Sequence, residues 1–378
     1  MFVVVDDKIP YIREALARIA DKVVYLPGKA ITKDTIKDAD ALIVRTRTRC
    51  NRELLEGTNV RFIASATMGY DHIDTDYCRL AGITWTNCPG CNASSVGQYD
   101  KTVLIRLQMA GKLSPETATV GIVGVGNAGS AVARAILPLG VRVLFNDPPR
   151  MEKAVRPAGK TPADGRNGAW EENTATRNAM NADAQGNSIL PPPLFQPSKW
   201  STLEELCTSC DAILFHVPLI YKGAHPTWHL ADTTFFNNLK RRPVILNAGR
   251  GGIVDEEALL EAMDSGKVGE AVIDTWENEP AINRELLQRT FIGTPHIAGY
   301  SADGKSNATR MALEALCTHF HIHADIHIQP PMMTPHDYWN NTEASLRLYD
   351  PMADSNRLKS HPADFEYLRG NYPLRREK

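Results

Sequence analysis

The chain has 378 residues, and its 42 Lys and Arg against 44 Asp and Glu give a formal net charge of −2. At about 100–200 residues per domain, this length predicts two domains. The near-balanced charge argues against a protein that coats nucleic acid. No apolar run approaches the ~20 residues that cross a bilayer, and the start, Met1–Asp6, has no signal-peptide features. We therefore expect a soluble, cytoplasmic protein without nucleic-acid or membrane partners.

The seven cysteines are an odd number scattered over a long chain, which is not a disulfide framework. Two pairs have the C-x-x-C spacing of zinc or redox sites: Cys88/Cys91 and Cys207/Cys210. Spacing alone is a weak signal without the matching fold context, so we expect reduced thiols and no metal.

Short apolar runs rich in Val and Ile alternate with amphipathic segments along most of the chain. Such runs are typical of parallel strands buried on both faces, and their alternation with helices predicts βαβ units. The predicted strands are Val3–Val5, Ala41–Val44, Phe62–Ala64, Val120–Val123, Val141–Phe145, Ala212–Phe215, Val244–Leu246, Ala271–Ile273 and Phe291–Gly293. The predicted helices are Ile12–Ile19, Ser94–Met109, Ala131–Leu139 and Glu256–Met263.

Two segments interrupt this alternation. Residues 151–199 are rich in Asn, Ala, Gly and Pro and have no period, which predicts a long insertion inside a domain. It ends where Ser201–Glu204 has the form of a capping box. After Gln329 the chain is again expected to be irregular. Shortly before that point stand His319, His321, His323 and His327, whose spacing could align some of them on a helix. No acid of suitable spacing accompanies them, so we predict a solvated helix end.

A glycine-rich turn, Gly124-Val-Gly126-Asn-Ala-Gly129, follows one predicted strand and opens a helix. In dinucleotide-binding folds the first glycine permits the turn, the second lets the backbone approach a pyrophosphate, and the third lets helix and strand pack closely. Asp147 lies 18 residues beyond Gly129 (147 − 129), where a carboxylate accepts hydrogen bonds from the ribose hydroxyls of NAD. Arg150 would suit a 2′-phosphate, which Asp147 would repel. We predict NAD binding; the alternative is a structural glycine turn without a nucleotide.

Three polar residues follow strands in the second half of the chain. Arg250 suits a clamp on a substrate carboxylate, because guanidinium binds carboxylate through two parallel hydrogen bonds. His296 suits proton transfer, and Glu279 could orient its ring. Together the three predict hydride transfer between a nicotinamide and a 2-hydroxy or 2-oxo acid. The alternative is a structural ion pair beside a buried histidine.

Arg45, Arg47 and Arg49 alternate with Thr46 and Thr48 directly after a predicted strand. If this stretch is extended, the three arginines share one face. A cation cluster at the carboxyl end of a strand suits a phosphate or a second carboxylate. The alternative is a solvated basic edge without a ligand.

These motifs together resemble the D-isomer-specific 2-hydroxyacid dehydrogenase family over about residues 1–320. The Arg-to-Glu gap of 29 (279 − 250) and the Glu-to-His gap of 17 (296 − 279) are spacings that this family uses. The matching segments are Thr67–Asp74, Asn87–Ala93, the Gly124 turn with Asp147, Asn247–Gly252, Asp274–Pro280 and Pro295–Gly299.

With this resemblance we expect an α/β protein of two doubly wound parallel-sheet domains with a cleft between them. Residues 1–94 and 297–330 would form a flavodoxin-like substrate domain, and residues 95–296 a Rossmann domain that binds NAD. Residues 331–378 would be a C-terminal tail, in the place of a dimerisation domain but short for one. The family implies a homodimer.

The resemblance also implies the site residues. The catalytic set would be Arg250, Glu279 and His296. The cofactor would be lined by Gly124, Gly126, Asn127, Ala128, Gly129, Asp147, Val217, Ala248, Gly249, Arg250, Asp274 and Gly299. The substrate would meet Arg45, Thr46, Arg47, Thr67 and Tyr300. Two positions depart from the family pattern: Val217 stands where Thr is common, and Gln98 where Glu is usual.

Within the family, one subfamily shares further segments with this chain: His296–Lys305, His229–Asp232, Asp147–Arg150 and Val44–Thr46. That likeness implies NAD-dependent oxidation of 4-phospho-D-erythronate to 3-hydroxy-2-oxo-4-phosphooxybutanoate, a step of pyridoxal phosphate biosynthesis. One alternative is a dehydrogenase for another D-2-hydroxy acid, such as glycerate or phosphoglycerate. A second is a non-catalytic NAD-sensing regulator, for which the insertion would offer a partner-binding surface.

Overall fold

The computed structural model describes residues 1–155, 197–332 and 342–377, so most of the predicted insertion at 151–199 lies outside the described residues. The chain divides into two units. The first contains Met1–Asn92, the described part of Tyr300–Thr334, and Glu377. The second contains Ala93–Gly299 and the described part of Pro335–Arg376.

The first unit is built on a five-stranded parallel sheet. Its strands are β1 (Phe2–Asp6), β2 (Lys22–Leu26), β3 (Ala41–Val44), β4 (Phe62–Ser65) and β5 (Thr84–Thr86). They are arranged in the order β2-β1-β3-β4-β5, and every neighbouring pair is parallel. This is the flavodoxin-like order, and it places a topological switch point between β1 and β3, where the chain changes direction across the sheet.

Helices connect the strands of the first unit. They are α1 (Ile12–Leu16), α2 (Lys33–Ile36), α3 (Arg52–Leu55), α4 (Thr75–Leu80) and, from later in the chain, α12 (Ala302–His319). A short 3₁₀ turn spans Gly28–Ala30. The three central residues of β1 and all four of β3 are buried. Burial on both faces explains why these strands read as continuous apolar runs.

The second unit is built on a six-stranded parallel sheet. Its strands are β6 (Thr119–Val123), β7 (Arg142–Asn146), β8 (Ala212–Phe215), β9 (Val244–Asn247), β10 (Glu270–Ile273) and β11 (Ile292–Gly293). Their order is β11-β10-β9-β8-β6-β7, with all neighbours parallel. The switch point lies between β6 and β8, because the chain leaves β6 first toward β7 and later returns to its other side. Ligands of open α/β sheets bind at the carboxyl ends of strands beside such a point.

The helices of the second unit are α5 (Ala93–Met109), α6 (Asn127–Ile136), α7 (Pro148–Val155), α8 (Leu203–Ser209), α9 (Thr233–Asn237), α10 (Glu256–Asp264), α11 (Arg284–Arg289), α13 (Thr342–Leu348), α14 (Pro351–Ser360) and α15 (Phe365–Gly370). Short 3₁₀ turns follow α6 at Leu137–Leu139 and precede α15 at Pro362–Asp364. The long helix α5 packs along α6.

The predicted fold class is confirmed, and all nine predicted strands coincide with strands of the structure to within a residue at either end. The helices are less well predicted at their ends. Helix α1 stops at Leu16 rather than Ile19, and α6 ends at Ile136 rather than Leu139, where a 3₁₀ turn follows. The prediction missed β2 and β5, which are edge strands.

Two local predictions were wrong. The chain after Gln329 is not irregular throughout, since it forms α13, α14 and α15. Tyr349, which follows α13, Leu358 of α14 and Phe365 of α15 are buried in the core of the second unit. These helices are short and are stabilised by that packing rather than by a strong apolar period. The capping box before α8 joins Thr202 to Glu205, one residue later than predicted, because Thr202 is the residue with extended backbone at the helix start.

No helix among the described residues is long and apolar enough to cross a membrane. All seven cysteines are buried free thiols. Helix α12 ends at His319, so His321 and the two histidines after it do not share a helical face with it. Within the described ranges, no group of three or more His, Cys, Asp or Glu side chains could hold a metal ion.

Candidate active site

The three glycines of the turn after β6 occupy different environments. Gly124 has a left-handed φ of +88°, and a Cβ there would lie 2.7 Å from the side chain of Val217. A Cβ on Gly129 would lie 1.9 Å from the carbonyl oxygen of Gly124. By contrast, a Cβ on Gly126 would meet no atom within 4 Å. Two glycines are therefore required by packing, while Gly126 keeps open space at the start of α6, where Asn127 and Ala128 follow.

This geometry fits a dinucleotide. Helix α6 begins directly after Gly126 and has no side-chain cap on its first turn. Its leading N–H groups and the positive end of its dipole suit a diphosphate that approaches through the open side of Gly126. The turn also lies at the switch point, since Gly124 abuts the backbone of His216, the residue after β8.

Asp147 lies directly after β7, as the sequence predicts for a ribose-binding carboxylate. One of its oxygens, Oδ2, accepts a hydrogen bond from the N–H of Val125 at 2.9 Å, and Oδ1 accepts from the N–H of Arg150 at 3.1 Å. The carboxylate therefore fixes the glycine turn. The guanidinium of Arg150 donates to the carbonyl oxygen of Val125, so it is turned toward the protein backbone.

The loop after β9 carries three of the predicted residues. Ala248 is half-buried against the core, and a Cβ on Gly249 would lie 3.1 Å from the carbonyl oxygens of Phe215 and Val217. The guanidinium of Arg250 donates to the carbonyl oxygen of Gly249 at 2.9 Å. Arg250 is thus held near the carboxyl end of β9, the neighbour of both β8 and β10.

Glu279 and His296 are brought into direct contact. Nδ1 of His296 lies 2.9 Å and 3.0 Å from the two carboxylate oxygens of Glu279. The N–H of Trp276 also donates to Glu279, at 3.0 Å. A carboxylate only accepts, so the Nδ1 atom carries the proton and Nε2 is the basic nitrogen of the neutral ring. Both side chains are mostly buried, with exposures of 24% for His296 and 16% for Glu279.

The electrostatics of Glu279 follow from its neighbours. Burial alone would raise the pKa of its carboxyl group. The charge and hydrogen bond of His296, together with the nearby Arg369, outweigh burial and hold this pKa below its usual range. Glu279 is therefore a carboxylate under physiological conditions, ready to balance a proton on His296.

The backbone at His296 is held in an uncommon conformation. Its φ is +57°, in the left-handed region, and its N–H donates to the carbonyl oxygen of Asp274 at 2.8 Å. The Asp274 carboxylate accepts from the N–H groups of Ile297 at 2.7 Å and Ala298 at 3.0 Å. Burial raises the pKa of Asp274, although His296 opposes the shift. Asp274 therefore anchors the segment that leads to Gly299. Both Asp274 and Gly299 are predicted cofactor residues of the second unit.

The predicted arginine cluster belongs to the first unit, and the premise of one shared face is wrong. β3 ends at Val44, and the N–H of Thr48 donates back to the carbonyl oxygen of Arg45 at 3.2 Å. The stretch is a turn, so alternation along the sequence does not place the arginines on one side. Arg45 is half-buried and its Nε lies 3.3 Å from the fully buried Asp6, whereas Arg47 is exposed.

The other predicted substrate residues lie near strand or helix ends of the same unit. Thr46 is exposed in the turn after β3. Thr67 follows β4, and its Oγ1 is hydrogen-bonded to Ser65 at 2.7 Å and to the carbonyl oxygen of Gly69 at 2.8 Å. Tyr300 precedes α12, with the ammonium group of Lys305 4.2 Å from its ring centre.

Two arginines that the sequence analysis did not single out meet the proposed site. Arg369 donates to Glu279 Oε2 at 3.0 Å, and Arg375 donates to the carbonyl oxygens of Ile297 and Ala298. Both come from the C-terminal part of the chain, more than 70 residues away in sequence. No motif surrounds them, so only the folded structure shows this contact.

A glycine turn at the switch point of a parallel sheet, followed by a carboxylate–imidazole pair in the same unit, defines the class of α/β dinucleotide-dependent dehydrogenases. Comparison with known proteins agrees. Residues 178–298 match the family model described as "D-isomer specific 2-hydroxyacid dehydrogenase, NAD binding domain". The chain is 49% identical, over its whole length and 97% of the relative, to erythronate-4-phosphate dehydrogenase of Bacteroides thetaiotaomicron.

The enzyme of the same name from Porphyromonas gingivalis is 37% identical over the whole chain and 94% of that relative. Among solved structures, NAD⁺-bound 3-phosphoglycerate dehydrogenase of Entamoeba histolytica has a TM-score of 0.63 at 23% identity, covering 85% of this chain and 95% of that one. The chain belongs to the D-isomer-specific 2-hydroxyacid dehydrogenase family, among the erythronate-4-phosphate dehydrogenases. The family predicted from the sequence is confirmed.

Proposed function

We propose that this protein oxidises 4-phospho-D-erythronate at C2, with NAD as the hydride acceptor, to 3-hydroxy-2-oxo-4-phosphooxybutanoate. The observation that carries the proposal is the contact of His296 Nδ1 with both oxygens of Glu279. It leaves a basic ring nitrogen on a residue where the family places its proton acceptor. Whole-length identity of 49% to an erythronate-4-phosphate dehydrogenase supports the choice of substrate.

The second unit would hold the cofactor, which when bound supplies the electrophilic nicotinamide carbon that accepts the hydride from C2. The open side of Gly126 and the N-terminus of α6 would bind the diphosphate. Asp147, at the end of β7, would accept hydrogen bonds from the adenosine ribose. Val217, Ala248, Asp274 and Gly299 remain the proposed lining residues.

His296 would take the proton of the C2 hydroxyl group on Nε2 as the C2–H bond breaks. The ring then carries a positive charge, and the Glu279 carboxylate at 2.9 Å stabilises that charge and keeps the ring oriented. Arg250 would bind the substrate carboxylate through its guanidinium group. The residues predicted to meet the rest of the substrate are Arg45, Thr46, Arg47, Thr67 and Tyr300.

The wider setting follows from the same assignment. We propose that the reaction serves pyridoxal phosphate biosynthesis and takes place in the cytoplasm, where the seven buried free thiols remain reduced. A homodimer is expected from the family and can be checked by the mass of the purified protein in solution.

An assay of NADH formation tests the assignment. The purified protein is offered NAD with 4-phosphoerythronate, erythronate, glycerate and 3-phosphoglycerate, and the back reaction is followed with the corresponding 2-oxo acids. We expect the largest kcat/KM with 4-phosphoerythronate. A higher value with glycerate or phosphoglycerate would move the substrate to that acid. Tight NADH binding without turnover of any acid would favour the NAD-sensing regulator instead.

A further inference from the structure

The end of the chain supplies an arginine to the proposed catalytic pair. Arg369, on α15, donates from Nη1 to Glu279 Oε2 at 3.0 Å. Only 18% of its side chain is exposed, and 16% of the Glu279 side chain. An ion pair so far removed from water is screened much less than a surface pair. The carboxylate therefore lies between two groups that compete for it, the His296 ring on one side and the Arg369 guanidinium on the other.

A second arginine holds the backbone that follows His296. Arg375 is nearly fully buried and donates to the carbonyl oxygens of Ile297 at 3.0 Å and Ala298 at 2.6 Å. The N–H groups of the same two residues donate to the Asp274 carboxylate. The two residues after His296 are thus held at their carbonyl oxygens by a cation and at their N–H groups by an anion.

The surroundings of Arg375 are matched to its remaining donors. Its Nε donates to Gln98 Oε1 at 2.9 Å, and the Gln98 amide donates in turn to the carbonyl oxygen of Arg376 at 2.7 Å. Its guanidinium stacks 3.9 Å from the ring centre of Tyr349. Burial of an arginine is unfavourable unless its N–H groups are satisfied, and here two of its nitrogens donate to the segment that follows His296. Gln98, which departs from the family's usual Glu, is the neutral acceptor in this arrangement.

We propose that Arg369 and Arg375 make the C-terminal segment, helix α15 and the residues after it, a positioning element for the Glu279–His296 pair, with Arg369 setting the charge balance of the pair and Arg375 the backbone that presents His296. The proposal rests on the proposed function in that it takes His296 as the proton acceptor. It assigns to the C-terminal region a role in the chemistry that is separate from any role in assembly.

The expected sign follows from the charges that face the pair. These are the cation Arg369 and the acids Asp274 and Glu256, which lie close enough to influence His296 and Glu279. Without Arg369, the Glu279 carboxylate is offset by one cation fewer and attracts the proton of His296 more strongly. Oxidation needs the neutral ring, so activity should begin to rise only at higher pH.

The test compares Arg369→Met and Arg369→Lys with the wild-type enzyme. For Arg369→Met we expect the acidic limb of the kcat/KM profile for oxidation to move up by about half to one pH unit, with kcat at pH 7 lowered about 3- to 10-fold. NADH binding, followed by fluorescence, should stay within about two-fold. Arg369→Lys, which keeps the charge, should restore most of the wild-type profile. Arg347→Met, at an exposed arginine of α13, is the matched control and should leave the profile unchanged.

Arg375→Lys and Arg375→Met test the backbone contact. We expect kcat to fall about 10-fold or more in Arg375→Met, with a smaller change in KM, because the variant displaces His296 rather than a substrate-binding group. If Arg375→Met does not fold, the lysine variant gives the readout, since Lys cannot satisfy two carbonyl oxygens and Gln98 in the same geometry. A wild-type pH profile in Arg369→Met, or wild-type kcat in Arg375→Lys and Arg375→Met, would overturn the proposal.

Failure of the substrate assignment can be told apart from failure of this inference. The pH profiles are measured on whichever acid the wild-type enzyme turns over. If it turns over none, NMR titration of the His296 ring replaces the profile. The ring of Arg369→Met should then hold its proton to a higher pH than the wild-type ring, and coincident titrations would refute the role of Arg369.

Discussion

The two parallel sheets share one strand order but differ in the residues at the switch point. The first runs β2-β1-β3-β4-β5, and the second repeats this pattern as β7-β6-β8-β9-β10 with β11 added at the edge. The turn after the first strand of the second unit has glycine at three positions and an open approach at Gly126. Helix α6 follows directly, and the N–H groups of its first turn are the donors that a diphosphate requires.

The corresponding turn of the first unit carries a buried negative charge in place of an open glycine. β1 ends in Asp6, which is fully buried and paired with Arg45 at 3.3 Å. The following helix, α1, begins only at Ile12 and has five residues. A buried carboxylate at this position would repel a diphosphate, whereas the arginines after β3 suit a smaller anion. The topology thus provides the place for a ligand, and the side chains after the first and third strands decide the class of that ligand.

The largest effect should come from His296, the proposed proton acceptor in the second unit. We expect His296→Asn to lower kcat about 10²- to 10⁴-fold, the range for loss of a general acid–base group, while the Kd for NADH changes less than about three-fold. His225→Asn is the matched control, because His225 pairs with Glu152 at the surface. Retention of wild-type kcat by His296→Asn would remove the proton-transfer role.

The glycine turn offers a sharper test of the difference between the units. Gly126→Ala adds a methyl group to open space, so the protein should keep its Tm and bind NADH about 10-fold more weakly. Gly129→Ala should instead lower Tm or prevent folding, because its Cβ would lie 1.9 Å from the carbonyl oxygen of Gly124. Unchanged NADH affinity in Gly126→Ala would show that the cofactor does not approach this glycine.

The degree of burial decides which strands could be predicted from the sequence. Strands buried on both faces appear as short apolar runs, which is why β3 and β8 were located to the residue. The edge strands β2 and β5 bury less of their surface, and so Lys22–Leu26 and Thr84–Thr86 lack that signal.

The site shows a similar limit. Asp147, Glu279 and His296 follow strands and lie in recognisable motifs, so their places could be predicted. The turn at Arg45 could not, because a run of alternating residues reads as extended until its backbone hydrogen bonds are known. The contact of Arg369 with Glu279 could not be predicted either, because the two residues are 90 positions apart in sequence.

The arginines of the first unit give the next prediction. Arg47→Gln should raise KM for the phosphorylated substrate about 10-fold, the loss expected for one charged hydrogen bond, and leave KM for an unphosphorylated 2-hydroxy acid nearly unchanged. Arg49→Gln is the matched control, an exposed arginine in the same turn region. An equal rise in KM in the two variants, or on both kinds of acid, would mean that the effect comes from general charge rather than from phosphate binding.

The smallest effect concerns how each unit buries a carboxyl group. Asp6 is buried beside a cation, whereas Glu256 is buried near Asp255, Glu277 and Glu279, and burial raises the pKa of Glu256 to about 7. A pKa raised above the unfolded value of about 4.5 means that the folded state holds this proton more tightly. Stability is therefore lost as the pH rises from about 4.5 through 7, by up to about 3 kcal/mol at 1.36 kcal/mol per pH unit.

Glu256→Gln removes this titration while its side-chain oxygen can still accept from the N–H of Glu277, a bond of 2.7 Å in the wild type. We expect the variant to unfold a few degrees above the wild type at pH 8.5 and at nearly the same temperature at pH 5. Glu257→Gln, at the exposed neighbouring position, should show no such dependence on pH. An equal difference in Tm at both pH values would mean that Glu256 is already ionised at pH 5, with a charge accommodated as Asp6 is by Arg45.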